Sequence, residues 1–305
     1  MSMSAAKTCW MRSIRMWSAT TRRAVACLSA CVCTITSPAL AGTPTRPPQG
    51  GLVSTALCAD SYVLALAGPG QIRALSWQVD QPVSAAPDWA RDMPQAWPDA
   101  ERLLTLQPGL AVFDPGGGGR TARLVSRAGI AVHELDWVDG FDGIRRNLGA
   151  LGSAMDRADE ADALVEDLEA RLAGLAERSA TRGAPVRVLY LNVSGGSAGA
   201  GAYVDAAIRA AGGVNVMAEA GHSGWTRSDP EVLLDLDVDL VLTSFFSDGY
   251  ASTSNHARHH AAYRHVLAGR PRVDIPAGYW PCAGPRLVDA AEAIADALDS
   301  LAVTR

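Results

Sequence analysis

One stretch constrains the fold more than any other. Residues 156–178 (DRADEADALVEDLEARLAGLAER) place Leu164, Leu168, Leu172 and Leu175 on one stripe at helical spacing, with charge on the other faces. At 1.5 Å per residue this predicts a single amphipathic helix about 35 Å long. Thr181, Arg182, Gly183, Ala184 and Pro185 end it. On either side the pattern changes to short apolar runs punctuated by turn residues. Residues 52–57, 72–77, 110–114 and 130–135 read as buried parallel strands, with helices over 61–67 and 120–128 between them. After the long helix come strands over 186–193, 240–245 and 273–275, and helices over 203–211 and 287–301. The chain therefore reads as α/β: two Rossmann-like lobes, residues 50–150 and 184–305, joined by the helix at 156–178.

A faint internal repeat supports two similar lobes. Residues 101–112 read ERLLTLQPGLAV and residues 231–242 read EVLLDLDVDLVL. Each is a helix, a turn and a buried strand, placed alike in its half.

The N-terminus has the layout of an export signal. Residues 1–41 carry Lys7, Arg12, Arg15, Arg22 and Arg23 and no acid, then an apolar run (AVACLSACVCTI), then a small-residue cleavage site after Ala41. The apolar run is shorter than the roughly 20 residues a permanent anchor requires. Without that leader, 22 basic side chains face 32 acidic ones. An acidic body argues against nucleic acid as a partner. Lys7 is the only lysine, so the folded part has neither a Walker A phosphate loop nor a Schiff-base lysine. Of six cysteines, only Cys58 and Cys282 lie beyond the leader. They are able to pair in an oxidising compartment, but two small buried residues is the favoured expectation.

The ordered set VSTALCADSYVLALAG (53–68), ERLLTLQPGLAVFD (101–114), the connector helix, RAAGGVNV (209–216), WTRSDPEVLLDLDVDLVL (225–242) and GYWPCAGPRLVDAAEAIADAL (278–298) resembles the periplasmic substrate-binding proteins of ABC importers for ferric siderophores, haem or cobalamin. The resemblance implies a clamshell that binds a large metal chelate, corrinoid or tetrapyrrole between its lobes. It implies delivery to a permease coupled to an ATPase, with no catalysis, no cofactor, and a monomer in the periplasm. It places ligand contacts at Trp77, Trp97, Gly196, Ser197, Trp225, Tyr279 and Trp280. Trp89 and Trp137 are assigned to the core. Docking carboxylates, one per lobe in the family, are sought at Asp60 and at Asp229 or Glu231, because the aligned positions hold Tyr62 and Pro230.

Three motifs compete with this reading. Gly195-Gly196-Ser197-Ala198-Gly199 fits G-x-S-x-G, the nucleophile elbow of a secreted serine hydrolase, with Asp239 or Asp248 and His265 to complete a triad. Gly116–Gly119, followed by Arg120, offers an anion cradle or a flexible cleft loop. His256, His259, His260 and His265 crowd one segment, which raises a direct zinc or manganese receptor. His133 is the only histidine in the first lobe, so the histidine segment is expected to be a solvated helix rather than a metal site. His222 is read as a loop residue near the cleft.

Overall fold

The structure is a computed structural model and describes residues 50–227, 230–244 and 261–304. The first sheet contains β1 (Leu52–Ser54), β2 (Ile72–Ser76), β3 (Gln95–Ala96), β4 (Leu110–Phe113) and β5 (Ala131–Glu134), in the order β3-β2-β1-β4-β5 with every neighbouring pair parallel. Helices α1 (Leu57–Leu66), α2 (Asp88–Arg91), α3 (Ala100–Leu106) and α4 (Gly119–Arg127) make the crossovers. β1 and β4 are buried throughout, which accounts for their unbroken apolar runs.

The second sheet has the order β11-β10-β6-β8, again parallel. Its strands are β6 (Val186–Asn192), β8 (Gly213–Asn215), β10 (Leu240–Ser244) and β11 (Arg272–Asp274). In each lobe the first strand is central, the second lies on one flank and the next long strand on the other. The repeat is therefore real in space: α3 leads into β4, as α9 (Pro230–Asp235) leads into β10. Leu103 and Leu233 occupy equivalent positions, and both are fully buried. Helices α7 (Tyr203–Ala210), α8 (Val216–Glu219), α10 (Ala261–Ala268) and α11 (Leu287–Thr304) complete the second lobe. A separate antiparallel pair, β7 (Gly196–Ala198) and β9 (Trp225–Arg227), stands beside the second sheet.

The connection between the sheets is a helical hairpin, not one rod. The long helix spans Ala158–Thr181 (α6), and α5 (Phe141–Ala154) precedes it. Leu168 and Leu175 are buried, with Leu164 and Leu172 packed against the same core, as the stripe requires. Gly152 lets the hairpin close, and Gly143 seats the chain that enters α5. A methyl group on Gly152 would lie 2.4 Å from the Ala161 Cβ, and one on Gly143 would lie 2.8 Å from a Val138 methyl. Gly152→Val should therefore cost about 1–3 kcal/mol by overpacking. Gly149→Ala, which would meet nothing within 4 Å, should be neutral or mildly stabilising. Urea unfolding of the two variants separates packing from helix propensity.

A ladder of ion pairs fastens α6 to α11. Arg171 bridges Asp289 and Glu292, Arg178 bridges Asp296 and Asp299, and Arg182 takes Asp299 at 2.6 Å and the Ala211 carbonyl at 2.7 Å. Arg182 is almost fully buried, so it anchors this end more firmly than the exposed pairs, which contribute little.

Candidate functional site

In open α/β sheets a ligand crevice forms outside the carboxyl ends of strands where the winding reverses. Here that point lies beside β1 in one lobe and beside β6 in the other. A cavity of about 440 Å³ sits there. Cys58, Asp114 and Trp137 approach from the first lobe, and Tyr203, Trp225 and Cys282 from the second. Trp137 is 78% exposed and Trp225 51% exposed. Large indoles held in solvent at a shared cavity mark a surface awaiting an apolar partner.

Trp225 is supported from behind. Its ring meets Tyr203 edge-on at 5.1 Å and Tyr190 at 6.1 Å, and Tyr190 in turn meets Trp280 at 5.8 Å. Burial pushes the Tyr203 hydroxyl up to about 12 and Tyr190 higher still, so both remain neutral donors. Trp280 is itself buried, and its indole N–H has no partner among the described residues.

The first-lobe wall is organised by the start of α1. Its N-cap position is Ala56, which has no side-chain acceptor. Two distant side chains supply what it lacks: Gln78 Oε1 accepts from the Leu57 amide at 3.1 Å, and Asp114 Oδ1 from the Ala59 amide at 2.8 Å. Burial holds the Asp114 carboxyl above its ordinary range against the pull of the Ala59 and Cys58 amides. Asp60, one turn into α1, is fully buried and accepts from the Ser76 amide at 2.9 Å and the Ser76 hydroxyl at 2.5 Å. Desolvation pushes its carboxyl up to about 6.

The loop after β11 crosses to this wall. The Tyr62 hydroxyl donates to the Ala283 carbonyl at 3.0 Å, and Cys58 and Cys282 form a disulfide with Cα atoms 5.2 Å apart. The expectation of two unpaired buried cysteines is thus overturned. Their 224-residue separation hid a contact that only the packing of this loop on α1 creates.

Of the residues expected at the ligand, Trp225 lines the cavity. Trp280 packs behind it, and Tyr279 lines a second, smaller cavity with the Arg286 guanidinium 4.6 Å over its ring. Trp77 is exposed but lines neither cavity, and Trp97 is covered by Arg102 at 3.8 Å. Trp137, assigned to the core, is the most exposed tryptophan among the described residues, and Trp89 is 38% exposed. Asp60 presents no charge to a partner because it is buried. Glu231 is exposed, as is its repeat partner Glu101, while Asp229 lies outside the described residues. Sequence reading missed Trp137, Tyr203 and Asp114. The signal was available for Asp114, which directly follows the buried strand β4, whereas Trp137 follows β5, whose residues are only partly buried or exposed.

The competing motifs resolve differently. Ser197 is fully buried on β7, and its hydroxyl donates to the Tyr190 carbonyl at 2.6 Å. It stands in an antiparallel pairing with β9 rather than at a strand-to-helix elbow, so it is not placed as a nucleophile. Gly196 has its amide on Asn192 Oδ1 at 2.8 Å. The glycines have backbone reasons: Gly195 has φ +80, and a Cβ on Gly199 would lie 2.2 Å from the His222 carbonyl oxygen. In the glycine loop, the Gly116 amide donates to Glu134 Oε1 at 2.9 Å, so the chain supplies the anion itself. His256, His259 and His260 lie outside the described residues, and His265 is exposed on α10.

A family model described as a periplasmic binding protein matches residues 73–270. The chain belongs to the periplasmic binding protein family. A cobalamin-binding protein of Halobacterium salinarum is 27% identical over 159 residues, 52% of this chain but 43% of that protein, so the match spans less than half of the relative. The periplasmic heme binding protein HutB of Vibrio cholerae superposes with a TM-score of 0.66 at 20% identity, covering 80% of this chain and 97% of that one. The vitamin B12 binding protein BtuF of Vibrio cholerae gives 0.61 at 21%, covering 83% and 98%. The molybdate binding protein MolA of Haemophilus influenzae gives 0.66 at 18%, covering 85% and 89%. These likenesses establish that the periplasmic binding protein fold is shared. The three differ in what they bind, so the fold alone does not name a ligand.

Proposed function

We propose that this periplasmic binding protein carries a large flat chelate (a ferric siderophore, haem or a corrinoid) to an ABC importer without altering it. The observation that carries this reading is the pair of exposed indoles, Trp137 and Trp225, lining one cavity from opposite lobes. Aromatic walls bury much area at little entropy cost, which suits planar ligands. The named ligands of HutB, BtuF and the Halobacterium relative support the class.

Export to the periplasm with cleavage after Ala41, and action as a monomer, belong to the same proposal. Docking on the permease is assigned to exposed carboxylates at the starts of α3 and α9, Glu101 and Glu231. Their equivalence in the repeat gives each lobe one. The zinc or manganese alternative rests on His256, His259 and His260, which lie outside the described residues.

Residues 42–305 titrated with ferric hydroxamates, ferric catecholates, haem, cobalamin and Zn²⁺ test the proposal by tryptophan fluorescence. Saturable quenching by one large chelate is expected. Silence towards every chelate, or a response to Zn²⁺ alone, overturns it.

A further inference from the structure

We propose that Cys58, Cys282 and Asp114 form a redox-gated site for one thiophilic metal ion in the wall of the cleft. It is closed while the disulfide stands and open once the disulfide is reduced. The inference does not depend on which ligand the protein carries.

The geometry supplies three ligand atoms within 4.8 Å of one another, drawn from both lobes. Two sulfurs on one tetrahedral ion, each at about 2.3 Å from it, lie about 3.8 Å apart. The 5.2 Å between the Cα atoms accommodates that spacing by side-chain rotation alone. All three residues line the inter-lobe cavity, so a small reductant, an ion and a fourth ligand reach them from the same side. Cys58 is the second residue of a ten-residue helix, where the positive end of the helix dipole favours the thiolate. The Asp114 carboxylate is held by two backbone amides, Ala59 at 2.8 Å and Cys58, which orient it at the start of α1 and leave further lone pairs for metal.

The backbone carries strain at the same place. Cys282 and Ala283 hold φ of 52° and 51°, the left-handed region that residues with a Cβ adopt at a cost. Such strain collects at ligand clamps and switch segments.

The chemistry balances with a dithiol as reductant. The Cys58–Cys282 bond breaks as two electrons and two protons pass to the sulfurs, and the dithiol closes to its own disulfide. A divalent ion then displaces the two thiol protons and takes both thiolates with the Asp114 carboxylate.

Co²⁺ titration of the mature chain reads the site directly, because a thiolate-to-cobalt charge-transfer band reports sulfur ligation. The band is expected at one equivalent in protein reduced with a phosphine, and not in oxidised protein. Asp114→Asn, which retains both cysteines, should weaken Co²⁺ at least tenfold. Cys58→Ser and Cys282→Ser should each abolish the two-sulfur spectrum. Cobalt held by the histidine segment would give nitrogen ligation without that band. Reduced protein that shows no sulfur band overturns the proposal, and so does unchanged affinity in Asp114→Asn.

Discussion

Trp225→Ala weakens the chelate that the quenching panel identifies by roughly thirtyfold, about 2 kcal/mol, the effect of a central aromatic anchor. Trp137→Ala acts in the same direction and by a similar factor. The rings stand 51% and 78% exposed before ligand arrives, so each has area to bury on binding. Truncating Trp225 also removes a ring from the cluster with Tyr203 and Tyr190. Trp77→Ala changes a ring of similar exposure that lines neither cavity, and affinity should hold within twofold. Calorimetry is the fit measurement, since it does not depend on the indole being removed. Equal affinity of Trp225→Ala and the parent chain would show that the ligand sits elsewhere.

Asp60→Asn stabilises the folded protein at neutral pH, and the gain vanishes in acid. The Asp60 carboxyl titrates at about 6 in the fold and near 3.8 when unfolded, because burial disfavours its charge. Between those values the folded state holds the proton that the unfolded state has lost, so stability falls as pH rises. The contribution is fully present below pH 3.8 and is lost as pH passes 6. The difference corresponds to about 3 kcal/mol. Asparagine imitates the protonated acid: its carbonyl accepts from the Ser76 amide and its NH₂ faces the Ser76 hydroxyl. The variant should match the parent near pH 4 and exceed it by about 3 kcal/mol at pH 8 in urea unfolding with the disulfide intact. A difference independent of pH would mean that Asp60 is not the titrating group.

Much of the scaffold was legible because it is written in local periodicity. The stripe Leu164, Leu168, Leu172, Leu175 announced α6, and apolar runs announced β1, β4, β6 and β10. The repeat ERLLTLQPGLAV and EVLLDLDVDLVL located equivalent helix–strand units in the two lobes. Helix α5 was not legible. Its Gly143, Gly149 and Gly152 read locally as helix breakers, although two of them serve close packing. Strand β7 was hidden in SGGSAGAG, where glycines required by the backbone imitate a catalytic motif.

The candidate site was legible only in outline. Local context makes Trp77, Trp137 and Trp280 look alike, each at a strand end or in the loop that follows. Tertiary packing made Trp280 core and Trp137 surface, against expectation. Asp60 looks like a free acid on α1, yet β2 folds Ser76 over it.

The sequence by itself determined the α/β class, the two-lobed plan and the family, because each rests on periodicity and on an ordered set of segments. The tertiary structure alone decided which indoles face the cleft, which carboxylates are buried, and that Cys58 meets Cys282. Those outcomes depend on contacts between residues far apart in the chain. Such a contact is fixed by how the lobes and the last loop pack, and no local pattern encodes it.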